Sequence, residues 1–378
     1  MASVELRQAV QAGGIAVVDG SRGLLTRWFL DGLSAALAAR GHPVQRERRR
    51  DVRVDVGVRV VINAVEAERP ISFRRRSKEI FVVGVAEVPA RADEMLAAGY
   101  SLLVRTLSNV FIPIARSESG PEAYFITMEQ GFHRISHDRD DAGFFEAVVA
   151  RILPLAESRL VIDNDFIPDL PRDLWNGDEH TAALFRAGQR LAELDLLPAP
   201  WPIDELLSPA DLRHVQRLFG IGGLSYGNAS ARHAGDTFWM SASGVDKSHL
   251  REIGREILLV TGYDQPRGVI MLSVPPGMKP RRVSVDAIEH LTIYREHPEV
   301  GAILHVHGWV TGAPSTEAVY PCGTEELARE VAGLVRDSPD PARAIIGMKN
   351  HGVTITGSSL DEILERVGPH IVRRVPMS

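Results

Sequence analysis

Two histidines one residue apart, His305 and His307, follow an apolar run that begins at Ala302. The run predicts a β-strand, in which side chains at positions i and i+2 point to the same side. The two imidazoles should therefore lie side by side, and His351, in a distant loop, can complete a facial triad. Three neutral nitrogen donors with an open fourth position suit a catalytic zinc or a similar divalent ion. The spacing predicts a metalloenzyme.

A carboxylate precedes the histidines, in a segment with helical apolar spacing that runs from Val283 to Tyr294. Ser284 is the predicted N-cap of this helix. Asp286 then falls in the first helical turn, where the positive end of the helix dipole favours an anion. A carboxylate in this position strengthens the prediction of a metal site.

The segment from about residue 220 to 367 resembles the class II aldolase/adducin family, which includes the fuculose-phosphate aldolase-like zinc lyases and their epimerase relatives. Six motifs agree with the family in order and approximate spacing: Gly227-Asn228-Ala-Ser-Ala-Arg232, Ser241-Ala-Ser243-Gly244, Asp286 to Tyr294, His305-Val-His307, Tyr320-Pro-Cys-Gly-Thr-Glu-Glu326, and Asn350-His351-Gly352. The resemblance implies an α/β domain in which helices flank a mostly antiparallel central sheet. It also implies a fourfold-symmetric tetramer with sites at subunit boundaries.

The same resemblance assigns roles to individual residues. It implies a zinc ion, with Fe²⁺ and Mn²⁺ as alternatives, bound by His305, His307 and His351. Asp286 stands where aldolases of the family carry a catalytic glutamate and epimerases an aspartate, so we expect it to be the acid–base residue or a fourth ligand. The residues expected to line the anionic end of the substrate are Gly227, Asn228, Ser243, Gly244 and Ser284.

Glu289 and His290, farther along the same predicted helix, are nearby candidates for the proton-transfer step. The alternative interpretation is that they are polar residues of the helix surface, or that they hydrogen-bond a metal-binding side chain without binding the metal themselves.

Two departures from the family pattern bear on the substrate and on the reaction. Relatives that use phosphate place two serines before the carboxylate, whereas this chain has Ser284-Val285 and so lacks one hydroxyl donor. A carboxylated or unphosphorylated substrate is therefore as well supported as a phosphorylated one. In addition, only about a dozen residues separate His307 from Tyr320. The inserted segment that carries a catalytic tyrosine in relatives has no counterpart there.

The leading hypothesis is a metal-dependent lyase acting on a small hydroxy-carbonyl compound, sugar-phosphate-like or carboxylated, through a metal-stabilised enediolate. An epimerase, a dehydratase, a decarboxylase or an iron oxygenase on the same site is an alternative. A second alternative is a non-catalytic, adducin-like binding or scaffold protein. The shortened loop favours the scaffold, and retention of all three histidines and the carboxylate disfavours it.

Composition indicates a soluble, intracellular protein. The 378 residues are 44% hydrophobic, enough for two domains with substantial cores. A net charge of −6 and a pI of about 6.1 favour neither nucleic acid nor membrane binding. The single cysteine, Cys322, excludes an internal disulfide and suits a reducing cytoplasm. The sequence starts without a signal-peptide pattern and contains no apolar run of roughly 18 residues. We therefore expect a cytoplasmic protein, and the family resemblance implies that it is a homo-oligomer.

Three segments are predicted along the chain. Residues 1–162 form an α/β domain of unknown role with a Rossmann-like start, in which Leu24 to Ala39 is a helix and Val52 to Val60 and Ser101 to Val104 are strands. Residues 163–177, rich in Pro and Asp, form a linker. Residues 178–378 form the class II aldolase/adducin-like domain.

Overall fold

A computed structural model describes residues 14–48, 57–127, 132–138, 140–198, 203–219 and 225–378. The chain divides into two compact units, and the boundary between them falls at Glu157/Ser158. Each unit has its own β-sheet, and helices and strands are mixed in both. The predicted α/β class is confirmed. In the described part of the chain, no helix combines the length and apolar character needed to cross a lipid bilayer.

The first unit contains a mostly parallel sheet flanked by helices. Its elements are β1 (Gly14–Asp19), α1 (Leu24–Ala39), β2 (Val44–Arg48), β3 (Val58–Ala64), β4 (Phe81–Glu87), α2 (Met95–Thr106), β5 (Val110–Ser117), β6 (Gly120–Thr127), β7 (Phe132–Ser136) and α3 (Asp141–Glu157). The strand order is β2-β1-β3-β4-β5-β6-β7. Pairs from β2 through β5 are parallel, and β5 pairs antiparallel with β6. The parallel part has a doubly wound order.

Apolar runs explain most of this unit, with one exception. The residues of β4 from Phe81 to Ala86 are all buried, as expected for a central parallel strand. The predicted strand Ser101–Val104 is wrong, because these residues belong to α2. A short apolar run does not distinguish a buried strand from one face of a helix, and packing selected the helix here. Of the predicted strand Val52–Val60, the part before residue 57 lies outside the described residues, and the rest begins β3.

The second unit is built on a mostly antiparallel sheet. Its elements are β8 (Asp163–Ile167), α4 (Glu179–Glu193), α5 (Ile203–Leu206), α6 (Pro209–Phe219), β9 (Asn228–Ala234), β10 (Thr237–Ser241), β11 (Ile257–Asp264), β12 (Val269–Ser273), α7 (Ala287–Glu296), β13 (Ala302–Val306), α8 (Glu325–Arg336), β14 (Ile345–Met348), β15 (Gly352–Gly357) and α9 (Leu360–Val367). The strand order is β14-β15-β13-β9-β10-β11-β12-β8. All recorded pairs are antiparallel except that of β8 with β12.

The structure corrects the predicted linker. Within residues 163–177, β8 pairs along its whole length with β12 at the edge of the second sheet, and Arg172–Leu174 forms a 3-10 helix. Proline and aspartate mark irregular backbone and edge strands alike, so composition did not reveal that this segment completes a sheet. The second unit accordingly begins near Ser158 rather than after a linker.

Candidate metal centre and active site

The register of the second sheet places His305 at the centre of a row of polar side chains. Strand β13 lies between β9 and β15, so His305 is opposite Asn228 on one side and Thr354 on the other. Directly opposed residues of antiparallel strands share a face of the sheet. His307 comes one residue after the end of β13, and its ring centroid is 5.0 Å from that of His305.

His351 reaches the same point from the loop that joins β14 to β15. Asn350 before it has a left-handed backbone, with φ of 60°, a conformation that asparagine tolerates better than most residues. The amide of His351 donates to the carbonyl of Met348 at 3.0 Å and closes the turn. The His351 ring centroid lies 4.8 Å from that of His305 and 4.7 Å from that of His307. One candidate ligand atom from each of the three histidines lies within 4.8 Å of the others.

Two glycines allow the backbones around these histidines to approach closely. Gly227 has φ of +72°, and a β-carbon there would lie 2.5 Å from the carbonyl oxygen of His305. A β-carbon on Gly352 would lie 2.2 Å from the carbonyl oxygen of Val306. Both glycines are needed because another side chain would push apart the segments that carry the histidines.

The donor set fits a divalent ion. The Nδ1 of His305 donates to the carbonyl of Val353 at 3.1 Å, which fixes the tautomer and leaves a lone pair on Nε2. That Nε2 is buried and has no hydrogen-bond partner in the described chain. Burial lowers the pKa of His305 to about 4 and that of His351 to about 3. These two imidazoles are therefore neutral at pH 7, as metal ligands must be.

Asp286 lies beside the histidines and is held by Asn228. It is the N-cap residue of α7, but its side chain does not cap the helix. Instead Oδ2 accepts a hydrogen bond from the Asn228 amide at 2.7 Å. Burial raises the pKa of this carboxyl group, whereas His351, the amide of Asn228 and the ammonium of Lys247 act in the opposite direction. The predicted N-cap, Ser284, is wrong, because the helix begins two residues later than expected.

Glu289 and His290 are buried against the sheet, so their interpretation as helix-surface residues is wrong. Glu289 is 2% exposed and its Oε1 accepts from the hydroxyl of Thr354 at 2.5 Å. His290 is fully buried, with Nδ1 2.7 Å from the hydroxyl oxygen of Ser230. Burial, followed by the charge of Asp286, raises the pKa of Glu289 to about 8. Glu289 is thus a largely neutral acid at pH 7, one helical turn from Asp286.

The five residues expected at the anionic end of the substrate lie in three segments of the second unit. Ser243 and Gly244 are exposed. A bridge between Ala242 and Val283 brings their segment next to Ser284, which is 9% exposed. The other two residues lie beside the histidines and Asp286, since Gly227 packs on the His305 carbonyl and Asn228 donates to Asp286.

Three side chains near the site were not given a role by the sequence. The Tyr226 ring centroid is 5.1 Å from that of His307, and Cys322 Sγ is 3.5 Å from the Nε2 of His351. Lys247 is 5% exposed, and its charge acts on both Asp286 and His305. Tyr226 and Lys247 flank two recognised motifs, but no periodicity or spacing distinguishes them from ordinary loop residues.

A second cluster of possible ligands, formed by Asp178, His180 and His233, has a structural explanation. Oδ1 of Asp178 caps α4 by accepting from the amides of His180 and Thr181, both at 2.9 Å. Oδ2 accepts from the Trp239 indole at 2.8 Å and lies 3.1 Å from the Nδ1 of His233. These contacts occupy both carboxylate oxygens, so the histidine triad is the better candidate for a metal.

Comparison with known proteins confirms the family resemblance for part of the chain. Residues 212–317 match the sequence model of the family described as Class II Aldolase and Adducin N-terminal domain. The matched segment contains Asp286, His305 and His307, and His351 lies beyond it. The chain is also similar to methylthioribulose-1-phosphate dehydratase of Leptospira biflexa serovar Patoc, with 31% identity over 110 residues. That alignment covers 29% of this chain and 45% of the relative, so the chain spans about half the length of the curated relative.

Several solved structures resemble half of the chain weakly. YgbL from Klebsiella pneumoniae, described as a putative aldolase/epimerase/decarboxylase, has 17% identity and a TM-score of 0.34, covering 50% of this chain and 84% of its own. YgbL from Escherichia coli has 15% identity and a TM-score of 0.33, with 50% and 83% covered. An L-fuculose 1-phosphate aldolase has 17% identity and a TM-score of 0.33, with 51% and 83% covered. Likenesses at this level do not bear on activity.

Proposed function

We propose that the second unit is the catalytic domain of a metal-dependent lyase that acts on a small hydroxy-carbonyl compound. The observation that carries the proposal is the convergence of three buried imidazoles, His305, His307 and His351, beside the buried carboxylate of Asp286. Three such donors and a nearby carboxylate are the parts that metal-assisted proton abstraction next to a carbonyl requires.

The proposed ligands are the three histidines. A divalent ion bound there supplies a Lewis acid that stabilises negative charge on substrate oxygens. We propose zinc, with iron and manganese as alternatives, because imidazole donors suit all three.

The residues of the chain supply proton transfer and orientation. Asp286, held by the Asn228 amide at 2.7 Å, has its second oxygen, Oδ1, buried and without a hydrogen-bond partner in the described chain. We propose that Oδ1 takes the proton from the carbon next to the substrate carbonyl. In a dehydration, the carbon–oxygen bond on the neighbouring carbon then breaks, and the proton held on Oδ1 passes to the departing hydroxyl, which leaves as water and restores the Asp286 carboxylate. Glu289, neutral at pH 7, adds no second negative charge beside the base.

Among lyase reactions, dehydration gains support from the similarity to a methylthioribulose-1-phosphate dehydratase. The carboxylate and metal ligands proposed here would equally serve aldol cleavage, in which a carbon–carbon bond breaks instead of a carbon–oxygen bond. We propose dehydration as the first reaction to test and aldol cleavage as the second.

The test is turnover by purified, metal-loaded protein. Methylthioribulose 1-phosphate and fuculose 1-phosphate represent the two reactions, and product formation is followed by mass spectrometry. Asp286→Asn is the matched control, because it preserves shape while removing the base. We expect it to retain the metal and to lose a factor of about 10² to 10⁴ in turnover. Wild-type turnover by Asp286→Asn would move the base elsewhere. Metal-free protein purified without chelators would instead favour a scaffold.

We also propose a homo-oligomer in the cytoplasm. The family resemblance implies a tetramer, and the composition suits a reducing compartment. Light scattering on the purified protein tests the first statement, since a mass near 41.5 kDa would identify a monomer.

A further inference from the structure

Lys247 is a buried cation close to the proposed reaction centre. It lies in the 3-10 helix Lys247–His249, shortly after Ser243 and Gly244, and is only 5% exposed. Lysine is seldom buried to this extent unless a partner compensates its charge.

The backbone of Lys247 is fixed by two contacts. Its carbonyl oxygen packs on α4 at Gly188, where a β-carbon would lie only 1.7 Å from that oxygen. Its amide donates to the hydroxyl of Ser225 at 3.2 Å. The lysine side chain therefore starts from a rigid base, and its inward direction is built into the fold.

The ammonium group is poorly compensated within the described chain. It donates to the carbonyl oxygen of Ser225 at 2.5 Å, and no described carboxylate forms a direct ion pair with it. Burial lowers the pKa of Lys247 to about 8, while the charges of Asp286 and Asp246 oppose the decrease. The group is mostly charged at pH 7. A buried cation whose one acceptor is a neutral carbonyl is costly, and a bound anion would offset that cost.

The position of Lys247 joins the two segments that the family resemblance assigns to the substrate's anionic end. One segment carries Ser243 and Gly244 and leads directly into Lys247. The other carries Gly227 and Asn228, and Lys247 contacts Ser225, two residues before Gly227, through both its amide and its ammonium group. Val285, which stands in place of a second hydroxyl donor, leaves this end of the site with one neutral donor fewer. A buried ammonium can take over that role with a stronger, charge-assisted hydrogen bond.

We propose that Lys247 binds the anionic group of the substrate, a phosphoryl or carboxylate oxygen, and so determines that the enzyme takes an anionic hydroxy-carbonyl compound. This inference rests on the proposed function, and it adds a specificity-determining residue to the site. No bond forms or breaks at Lys247. The ammonium exchanges part of its contact with the Ser225 carbonyl for a contact with the anion.

Calorimetry on metal-loaded protein tests the proposal with simple probes. Inorganic phosphate represents a phosphoryl group and malonate a carboxylate, and the tighter of the two identifies the anion. Lys247→Met removes the charge at similar length. Lys279→Met, at an exposed lysine of the same unit, is the control. We expect Lys247→Met to bind the preferred probe at least about tenfold more weakly, and Lys279→Met to bind it as the wild type does. Bound metal, measured on the same samples, should be equal in all three proteins.

Three results would overturn the proposal. The first is wild-type probe affinity in Lys247→Met, and the second is binding of neither probe by metal-loaded wild-type protein. The third applies if Lys247→Met does not fold. Lys247→Arg and Lys247→Gln are then measured instead, and equal weakening of probe binding by both overturns the proposal. Arginine keeps the charge and should keep the binding, whereas equal weakening by both shows that Lys247 only packs. Failure of the proposed lyase function would give a different result. The protein would then lack metal or turnover, while probe binding would remain intact.

Discussion

The Nε2 atoms of His307 and His351 lie 3.1 Å apart, although 44 residues separate the two histidines in the chain. Two imidazole nitrogens at this distance either share one hydrogen or direct both lone pairs at one cation. Nitrogen ligands about 2.0–2.1 Å from a tetrahedral zinc ion are roughly 3.3 Å from each other. The observed contact has nearly that dimension, as expected for two ligands of one ion.

Removing one histidine should remove the metal. We expect the wild-type protein to carry roughly one divalent ion per chain, and His305→Ala or His351→Ala to carry almost none, since a two-histidine site binds much more weakly. Inductively coupled plasma mass spectrometry on protein purified without chelators measures the content. His249→Ala, at an exposed histidine of the same unit, is the control and should keep the ion. Full metal content in both triad variants would contradict the assignment.

Bound metal should survive mild acid. Protons compete with the metal only where the ligands titrate, and burial lowers the pKa of His305 to about 4 and of His351 to about 3. A lowered pKa means that the neutral, ligand-competent form persists to lower pH than for an ordinary imidazole, which titrates near pH 6.5. We expect equal metal content after dialysis at about pH 7.5 and pH 5.5. Half-loss near pH 6.5 would show ordinary, solvent-exposed imidazoles.

Replacing Glu289 by glutamine should stabilise the metal-free protein as the pH rises. The folded-state pKa of Glu289 is raised to about 8 by burial and by Asp286, from an ordinary value of 4.5. Between these two pH values the proton is held in the folded state but not in the unfolded state. The contribution of Glu289 to the stability of the wild type is therefore fully present below pH 4.5 and is lost as the pH rises toward 8. Glutamine does not titrate. Its advantage in unfolding free energy should grow by up to about 1.4 kcal/mol per pH unit in this window.

Urea titrations of both proteins at pH 5, 6.5 and 8, followed by tryptophan fluorescence, measure this difference. A pH-independent difference between wild type and Glu289→Gln would show that Glu289 is not buried as an acid.

Gly227→Ala should damage the metal centre, whereas Gly277→Ala should not. The two glycines have similar positive φ angles, +72° and +78°, so both substitutions carry roughly 1–3 kcal/mol of backbone strain. At Gly227 a β-carbon also meets the His305 carbonyl at 2.5 Å, whereas nothing lies within 4 Å at Gly277. We therefore expect loss of metal affinity only in Gly227→Ala. Equal metal affinity in the two variants, measured with a fluorescent zinc competitor, would refute the close approach.

Much of the candidate site was accessible from residue order alone. A histidine pair after an apolar run predicts two imidazoles on one side of a strand, because side chains alternate along extended backbone. The helix that begins close to Asp286, and its family resemblance, likewise follow from local spacing. The family match to residues 212–317 confirms that resemblance. These features depend on neighbours in the chain.

The tertiary structure decided what local spacing cannot encode. Which residues face His305 depends on the register of β9 and β15, which aligns Asn228 and Thr354 with it. The burial of Glu289 and Lys247 depends on elements distant in sequence, so charged residues that look like surface positions became interior groups. The same holds for Asp163–Ile167, predicted as linker and found in a sheet. Sequence thus determined the chemical groups and their local geometry, and long-range packing determined their partners, their charge states and their exposure to water.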